Sequence, residues 1–465
     1  MKISPHYDCV VVGAGQGGGP LAGALGKSGL HTALIERKYV GGTCVNEGCT
    51  PTKTMIASAR VAYLARRGAD YGVEGYAPKV DMKRVRQRKR DIVLSFREGS
   101  QKRIERIENV DLIFGAVSFT GPRAMSVLLN DGGEVSITSD RIFLNTGTRA
   151  SVPGLAGLDS VTYLDNASIM ELDAVPEHLI ILGGGYIGVE FGQMFRRFGS
   201  RVSIVHSGSQ LLTREDLDVA DEVAKILRED GIDIFFNARA RAVGQTTSGV
   251  ELQFGSDAAK QTLSGSHLLV ATGRTPNSDS LNLSSAGVTT DDRGFIKVNG
   301  RLETSQKDIY ALGDVKGGPA FTHISYDDFR ILQANIIENQ NRTTDGRIVP
   351  YTVFIDPQLG RVGMSEAEAR AQERRFRVAK LPMSSVARAL EMDETRGLIK
   401  AVVEDGTDQI LGAAVLGIEG GEIMSILEVA MMGKLPYTAL RDGVFAHPTL
   451  AEALNNLFMG LDSAS

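Results

Sequence analysis

Short apolar runs alternate with glycine loops along this chain, and the spacing of each run predicts an element. Residues 7–12 (Tyr-Asp-Cys-Val-Val-Val) form an apolar run that enters Gly13-Ala-Gly-Gln-Gly-Gly-Gly, and the Ala- and Leu-rich residues 21–27 follow. That order predicts strand, tight turn and helix. Residues 31–35 predict a second strand ending at Glu36. The same succession returns later, with a strand at 178–182, the loop Gly183-Gly-Gly-Tyr-Ile-Gly, a helix at 189–198 and a strand at 201–205. Internal duplication therefore organises the chain. Between the two copies, 44–67 predicts one helix, 81–108 a long helix dense in Lys and Arg, and 110–142 short strands turning at Thr120-Gly-Pro and Asp131-Gly-Gly. From Tyr351 onward, strands at 399–403 and 412–416 mix with helices at 366–370, 421–432 and 449–458. Boundaries are predicted at Pro153-Gly154, at Thr275-Pro276-Asn277 and across 341–347.

Composition narrows this. A length of 465 residues predicts two to four domains, and 42% hydrophobic with 23% charged residues excludes a disordered or collagen-like chain. Glycine is in excess, at 53 residues, which asks for repeated close approach of backbone to a ligand or to itself. A formal charge of −5 gives no general attraction to nucleic acid or membrane. The basic run reads as a solvated helix face, because Asp91, Glu98, Glu105 and Glu108 interleave it and no aromatic platform accompanies it. No apolar stretch reaches the ~20 residues of a membrane span, and residues 1–6 lack a signal peptide's apolar core, so a cytoplasmic location is expected. Of three cysteines, Cys44 and Cys49 lie five apart and Cys9 sits in an apolar run. In a reducing compartment such a pair favours redox chemistry over a structural bridge, and zinc would need two further ligands that the neighbouring residues do not offer.

Two glycine loops, each between a strand and a helix, are a far more specific signal than one. Gly13 and Gly15 permit the turn and bring backbone N–H groups to a pyrophosphate, while Gly18 allows close helix packing; Gly183, Gly185 and Gly188 repeat the arrangement. The residue ending the second strand selects the nucleotide, since a carboxylate there accepts bonds from ribose hydroxyls. In the first copy it is Glu36, 23 positions after Gly13, and in the second the same offset from Gly183 lands on His206. Without an acid to repel a 2′-phosphate, His206, Ser207, Ser209 and Arg214 predict NADPH, with NADH possible. Ideal helix geometry would hold residues five apart at ~7.5 Å of rise, so a bridge between Cys44 and Cys49 needs a distorted first turn, which Gly48 and Pro51 would permit. A thiolate near a helix N-terminus and Lys53 would be stabilised.

These residues resemble the class I flavoprotein (pyridine nucleotide) disulfide oxidoreductases, the group containing glutathione reductase, dihydrolipoamide dehydrogenase and mercuric reductase. The resemblance rests on the Glu36-ended unit, Gly-Gly-Thr-Cys-x4-Cys-x-Pro-Thr-Lys, the second loop with Tyr186 and Glu190, Ala271-Thr-Gly-Arg, Ala311-Leu-Gly-Asp314, and His447-Pro-Thr-Leu-Ala-Glu452. It implies an α/β fold of two Rossmann-like dinucleotide-binding domains, for FAD and NAD(P), plus a C-terminal α+β dimerisation domain. The implied division is 1–150 and 276–346 for FAD, 151–275 for NAD(P) and 347–465 for dimerisation. The resemblance places Glu36, Gly42, Thr43, Lys53, Thr146, Gly147, Asp314, Ala320, Phe321, Thr322 and His323 on FAD, and Tyr186 and Gly273 on the nicotinamide side. It implies a redox-active Cys44–Cys49 disulfide, Lys53 paired with Glu190 beside the flavin, and His447 oriented by Glu452 as acid/base for the cysteines of the other subunit of a homodimer. The implied reaction is NAD(P)H-dependent reduction of a small oxidised-sulfur substrate, without nucleic acid, membrane or metal. Alternatives are a dihydrolipoamide dehydrogenase, a mercuric reductase-like metal-ion or quinone reductase, and a non-enzymatic flavin redox sensor.

Overall fold

In the computed structural model, which describes residues 3–75, 78–255 and 260–462, the chain is α/β and forms two compact units. The outer ends of the first and last predicted domains, residues 1–2 and 463–465, lie outside the described residues.

The first unit comprises 1–54, 86–151 and 273–347. Strand β1 (His6–Val12) leads into α1 (Gly18–Lys27) and β2 (Thr32–Glu36), followed by α2 (Gly42–Asn46), the start of α3 (Cys49–Arg66), whose residues from 55 belong to the second unit, and α4 (Met82–Glu105) from residue 86 onward. Strands β3 (Val110–Gly121), β4 (Ala124–Leu129) and β5 (Glu134–Leu144) come next. β1 is central and runs parallel to β2 on one side and β5 on the other, with Val10 opposite Ala33 and Ile142. The start of β3 extends the parallel layer beyond β2, and Ile309–Ala311 extends it beyond β5. The distal halves of β3 and β5 leave this layer and sandwich β4 in an antiparallel meander. Burial on both faces explains why β1 reads as a continuous Val run rather than an alternating one. Strand β6 (Thr148–Ala150) pairs antiparallel with Arg274–Pro276, so the two crossings into and out of this unit lie side by side.

The second unit comprises 55–85, 152–272 and 348–465. Here β7 (His178–Leu182), α5 (Tyr186–Phe198), β8 (Arg201–Val205), α6 (Leu217–Glu229) and β9 (Ile232–Phe235) build a second parallel sheet, with His267–Val270 beside β7 and the order 267–270, β7, β8, β9. Strands Ala240–Thr246, Gly249–Gly255 and Lys260–Gly265 form a three-stranded antiparallel sheet. Residues 351–417 form a five-stranded antiparallel sheet, backed by Gly420–Met432 and Ala453–Asp462. One apolar core joins Phe191 and Phe195 of α5 and Ile204 of β8 to Leu359 and Leu416 of the antiparallel sheet.

Two predicted helices are corrected. The single helix at 44–67 is broken after Asn46, because the chain folds back at Gly48, where a Cβ would stand 2.8 Å from the Thr43 carbonyl oxygen. The helix at 449–458 begins only at Ala453, since Thr449 donates to the Ala446 carbonyl and accepts from Glu452 N–H, closing a turn instead. Among the described residues no helix is long and apolar enough to cross a membrane.

Candidate active site

The two glycine loops are built alike. Gly13 has φ +102° and Gly183 φ +115°, and a Cβ on either would lie 2.3 Å from a carbonyl oxygen, that of Asn145 or of Ala271. A Cβ at Gly18 would lie 2.0 Å from the Gly13 carbonyl, and one at Gly188 2.1 Å from the Gly183 carbonyl. Only glycine fits at these four positions, by conformation at the first of each pair and by closeness at the second. The middle glycines differ: a Cβ on Gly15 would meet Asn145 Oδ1 at 2.9 Å, whereas one on Gly185 would meet nothing within 4 Å. Gly185 thus leaves open backbone at the start of α5.

The strand-end side chains also do one job in both copies. Glu36 accepts a hydrogen bond from Ala14 N–H at 2.9 Å, and His206 Nδ1 accepts one from Gly184 N–H at 3.1 Å; each donor follows the first glycine of its loop. Glu36 also accepts from Lys38 N–H at 2.8 Å. Burial lowers the His206 pKa, and its Nε2 is buried without a hydrogen-bond partner among the described residues. Ser207 is exposed just beyond it.

Asn145 was missed in the sequence, although it immediately precedes the Thr146-Gly147 turn. Its Oδ1 accepts from Gly18 N–H at 2.8 Å and its Nδ2 donates to the Leu312 carbonyl at 2.9 Å, so it ties the glycine loop to the segment between the strand Ile309–Ala311 and Asp314. Thr148 Oγ1 donates to Asp314 at 3.1 Å and accepts from Arg274 Nε at 2.7 Å. Burial pushes the Asp314 carboxyl above its ordinary range, which Arg274, Thr148 and Lys316 only partly offset. The fully buried Asp328 accepts from Gly313 N–H at 2.8 Å and fixes that turn. Thr146 Oγ1 is buried without a hydrogen-bond partner among the described residues. An unpaired buried hydroxyl beside a glycine cradle, with a strand-end carboxylate able to accept from ribose hydroxyls, suits a dinucleotide such as FAD, so the residues fit that group.

The cysteines meet at helix starts. Cys44 lies inside α2 and Cys49 opens α3, and the backbone break between them brings the two thiols within hydrogen-bonding reach. Cys49 Sγ lies 3.4 Å from Thr322 Oγ1, and Thr322 opens the helix Thr322–Ile336, so two helix N-termini converge on this sulfur. The Cys44 pKa is pushed far above that of an ordinary thiol, first by its hydrogen bond to Cys49 and then by burial; Thr322 and Lys53 offset part of this. Cys44 therefore needs a proton acceptor to become a nucleophile. Lys53 sits one turn into α3, Gly42 and Thr43 open α2, and Ala320 precedes Phe321 and His323, whose rings stack at 5.4 Å. Gly147 and Gly273 flank the paired strands 148–150 and 274–276.

The second unit carries the rest. Tyr186 is the first residue of α5 and is 38% exposed, and Glu190, one turn on, accepts from Phe354 N–H at 2.8 Å. His447 is exposed, and its Nδ1 lies 2.9 Å and 3.2 Å from the two oxygens of Glu452, leaving Nε2 as the outward nitrogen. That arrangement orients an imidazole for proton transfer. Among the described residues no group of three or more His, Cys, Asp or Glu side chains is placed to hold a metal.

Known proteins were compared with this geometry. A family model described as pyridine nucleotide-disulphide oxidoreductase matches residues 7–328, and one described as the dimerisation domain of that family matches 349–458. The chain is 39% identical over 456 residues to the probable pyridine nucleotide-disulfide oxidoreductase RclA of Escherichia coli, covering 97% of this chain and 98% of that one. It is 32% identical to a mercuric reductase of Streptomyces lividans, covering 98% and 96%. A solved structure of the E. coli protein, titled HOCl-induced flavoprotein disulfide reductase RclA in its Cu(II) complex, superposes with a TM-score of 0.89 at 38% identity and covers 98% of this chain and 99% of that one. With paired thiols at a helix start, two glycine cradles and matches along nearly its whole length, the chain belongs to the pyridine nucleotide-disulphide oxidoreductase family.

Proposed function

We propose that this protein is a homodimeric, NAD(P)H-dependent FAD enzyme that reduces a disulfide or related oxidised-sulfur compound through Cys44 and Cys49. The observation that carries the reading is the pair of thiols held within hydrogen-bonding reach where two helix N-termini converge. The description of the E. coli relative as a flavoprotein disulfide reductase supports the same substrate class. Residues 1–150 and 276–346 are assigned to FAD as one Rossmann-like domain, 151–275 to NAD(P) as a second, and 347–465 to dimerisation.

Bound FAD would supply a two-electron carrier between the nicotinamide dinucleotide and the cysteines. The loop from Gly13 through Gly15 to Gly18 is assigned to its pyrophosphate, Glu36 accepts from the ribose, and Asp314, Thr146, Gly147, Gly42, Thr43 and the 320–323 segment complete its pocket. Lys53, with Glu190, is assigned to its reactive edge, and Tyr186 covers that edge until a nicotinamide ring arrives. Gly183, Gly185, Gly188, His206, Ser207 and Gly273 take the second dinucleotide. NADPH is assigned as the preferred donor because no carboxylate stands where Glu36 stands in the first copy; NADH is also accepted.

In the reduced pair, His447 of the second copy takes the Cys44 proton, and the Cys44 thiolate attacks one sulfur of the substrate R–S–S–R. The S–S bond breaks, RS⁻ leaves and takes the proton from His447, and Cys44 carries a mixed disulfide. Cys49 then gives its proton to the now neutral His447 and attacks the Cys44 sulfur, the second RS⁻ leaves and takes that proton, and the Cys44–Cys49 disulfide closes, so two electrons and two protons have passed to the substrate. Glu452 holds the imidazolium through Nδ1.

Anaerobic titration of the purified holoenzyme with NADPH tests the reading. A long-wavelength charge-transfer absorbance should grow in the parent and be absent in Cys49→Ser; a parent that shows no such band would count against the dithiol relay.

A further inference from the structure

The basic helix α4 is left over from the function, and its inward stripe explains it. Lys89, Val93, Arg97, Ser100 and Ile104 follow helical spacing, and the first two and the last are buried. Arg97 Nε donates to Asn46 Oδ1 at 2.7 Å, and its guanidinium lies 3.8 Å from the centre of the Tyr39 ring. Asn46 sits between the two cysteines and ends α2; its Nδ2 donates to the carbonyls of Val40 at 3.0 Å and Gly42 at 2.9 Å. On the other side of the pair, Arg88 Nη1 donates to the Thr54 carbonyl of α3 at 2.7 Å. One helix therefore holds the Asn46 side chain between the two thiols and the α3 backbone just beyond them. We infer that Arg97, stacked on Tyr39 and bonded to Asn46, is a positioning residue that holds α2 at the angle from which Cys44 reaches Cys49. The inference rests on the dithiol reading above and adds what sets the balance between dithiol and disulfide. The effective concentration of two thiols depends on how tightly their backbones are held, so loosening α2 should disfavour the disulfide.

Equilibrating the holoenzyme in glutathione and glutathione disulfide mixtures reads this balance directly. The two thiols reduce one glutathione disulfide to two glutathione molecules, close the Cys44–Cys49 bond and lose two protons; maleimide trapping followed by mass measurement counts the remaining thiols. Arg97→Met should lower the oxidation constant about tenfold, equal to about 30 mV. Tyr39→Leu, at an exposed position that folding tolerates, should lower it about threefold with flavin absorbance retained. Oxidation constants within twofold of the parent in both variants would overturn the positioning role alone. A parent that never loses two thiols to oxidation would overturn the dithiol reading and this inference with it.

Discussion

At the scale of single residues, the chemistry is legible wherever identity alone carries it. Cys44, Cys49, Glu36 and His447 announce themselves by type and spacing, because a thiol, a carboxylate or an imidazole can do little else in such a motif. Their protonation is another matter. The Cys44 thiol is held above its ordinary range chiefly by Cys49, so Cys49→Ala should move the pH profile of Cys44 alkylation to lower pH; an unmoved profile would show that burial, the second cause, dominates instead. His206 is read from the sequence as a group able to hydrogen-bond or pair with a phosphate; its Nδ1 accepts from Gly184 N–H, burial favours its neutral form, and its buried Nε2 has no hydrogen-bond partner among the described residues. Nucleotide choice at that position then turns on the absence of a carboxylate. His206→Glu should shift the ratio of kcat/KM for NADPH over NADH toward NADH by about tenfold, the size of ~1.4 kcal/mol of like-charge repulsion.

At the scale of elements, the glycine loops show which constraints come from packing and which from a ligand. A Cβ on Gly18 would strike backbone at 2.0 Å, so Gly18→Ala should cost about 1–3 kcal/mol and yield protein with depleted flavin. Gly185 has open space around it, so Gly185→Ala should change thermal stability by less than about 0.5 kcal/mol while raising KM for NADPH. If both variants lost stability equally, the contrast between a glycine required by packing and one left open would be wrong. Asp356 joins elements of the second unit, pairing with Arg60 of α3 and Arg197 of α5. Burial alone would raise its pKa, but the two guanidiniums overcome this and leave it lowered. A depressed folded-state pKa contributes stability that is present above the unfolded value of about 3.9 and lost as pH falls through the folded value. Melting scans should therefore show the parent losing stability below about pH 4. Asp356→Asn should be weaker at pH 7 by about 3–5 kcal/mol, with a flatter acid limb.

At the scale of the whole molecule, the proposed site needs two copies of the chain, since Cys44 and His447 are assigned to opposite subunits. Dimers formed from one Cys44→Ser chain and one His447→Ala chain contain one doubly altered site and one intact site. They should recover about half the parent turnover per dimer, whereas each parental variant should lose about 10²–10⁴-fold. Heterodimers as inactive as the variants would place His447 and Cys44 in the same chain's chemistry.

The sequence by itself determined the two strand–loop–helix copies, the helix-start cysteines and the His-Pro-Thr stretch, because period, glycine spacing and reactive residue type are local properties. Tertiary structure alone decided the rest. Gly48 and Pro51 allowed a distorted turn in the sequence, but only the folded chain shows the helix broken between Asn46 and Cys49, with Gly48 so close to the Thr43 carbonyl that a Cβ would not fit. Asn145 and Arg97 gain their roles from partners 127 and 51 positions away in the chain, and such distant pairings follow from the packing of strands and helices rather than from neighbouring residues.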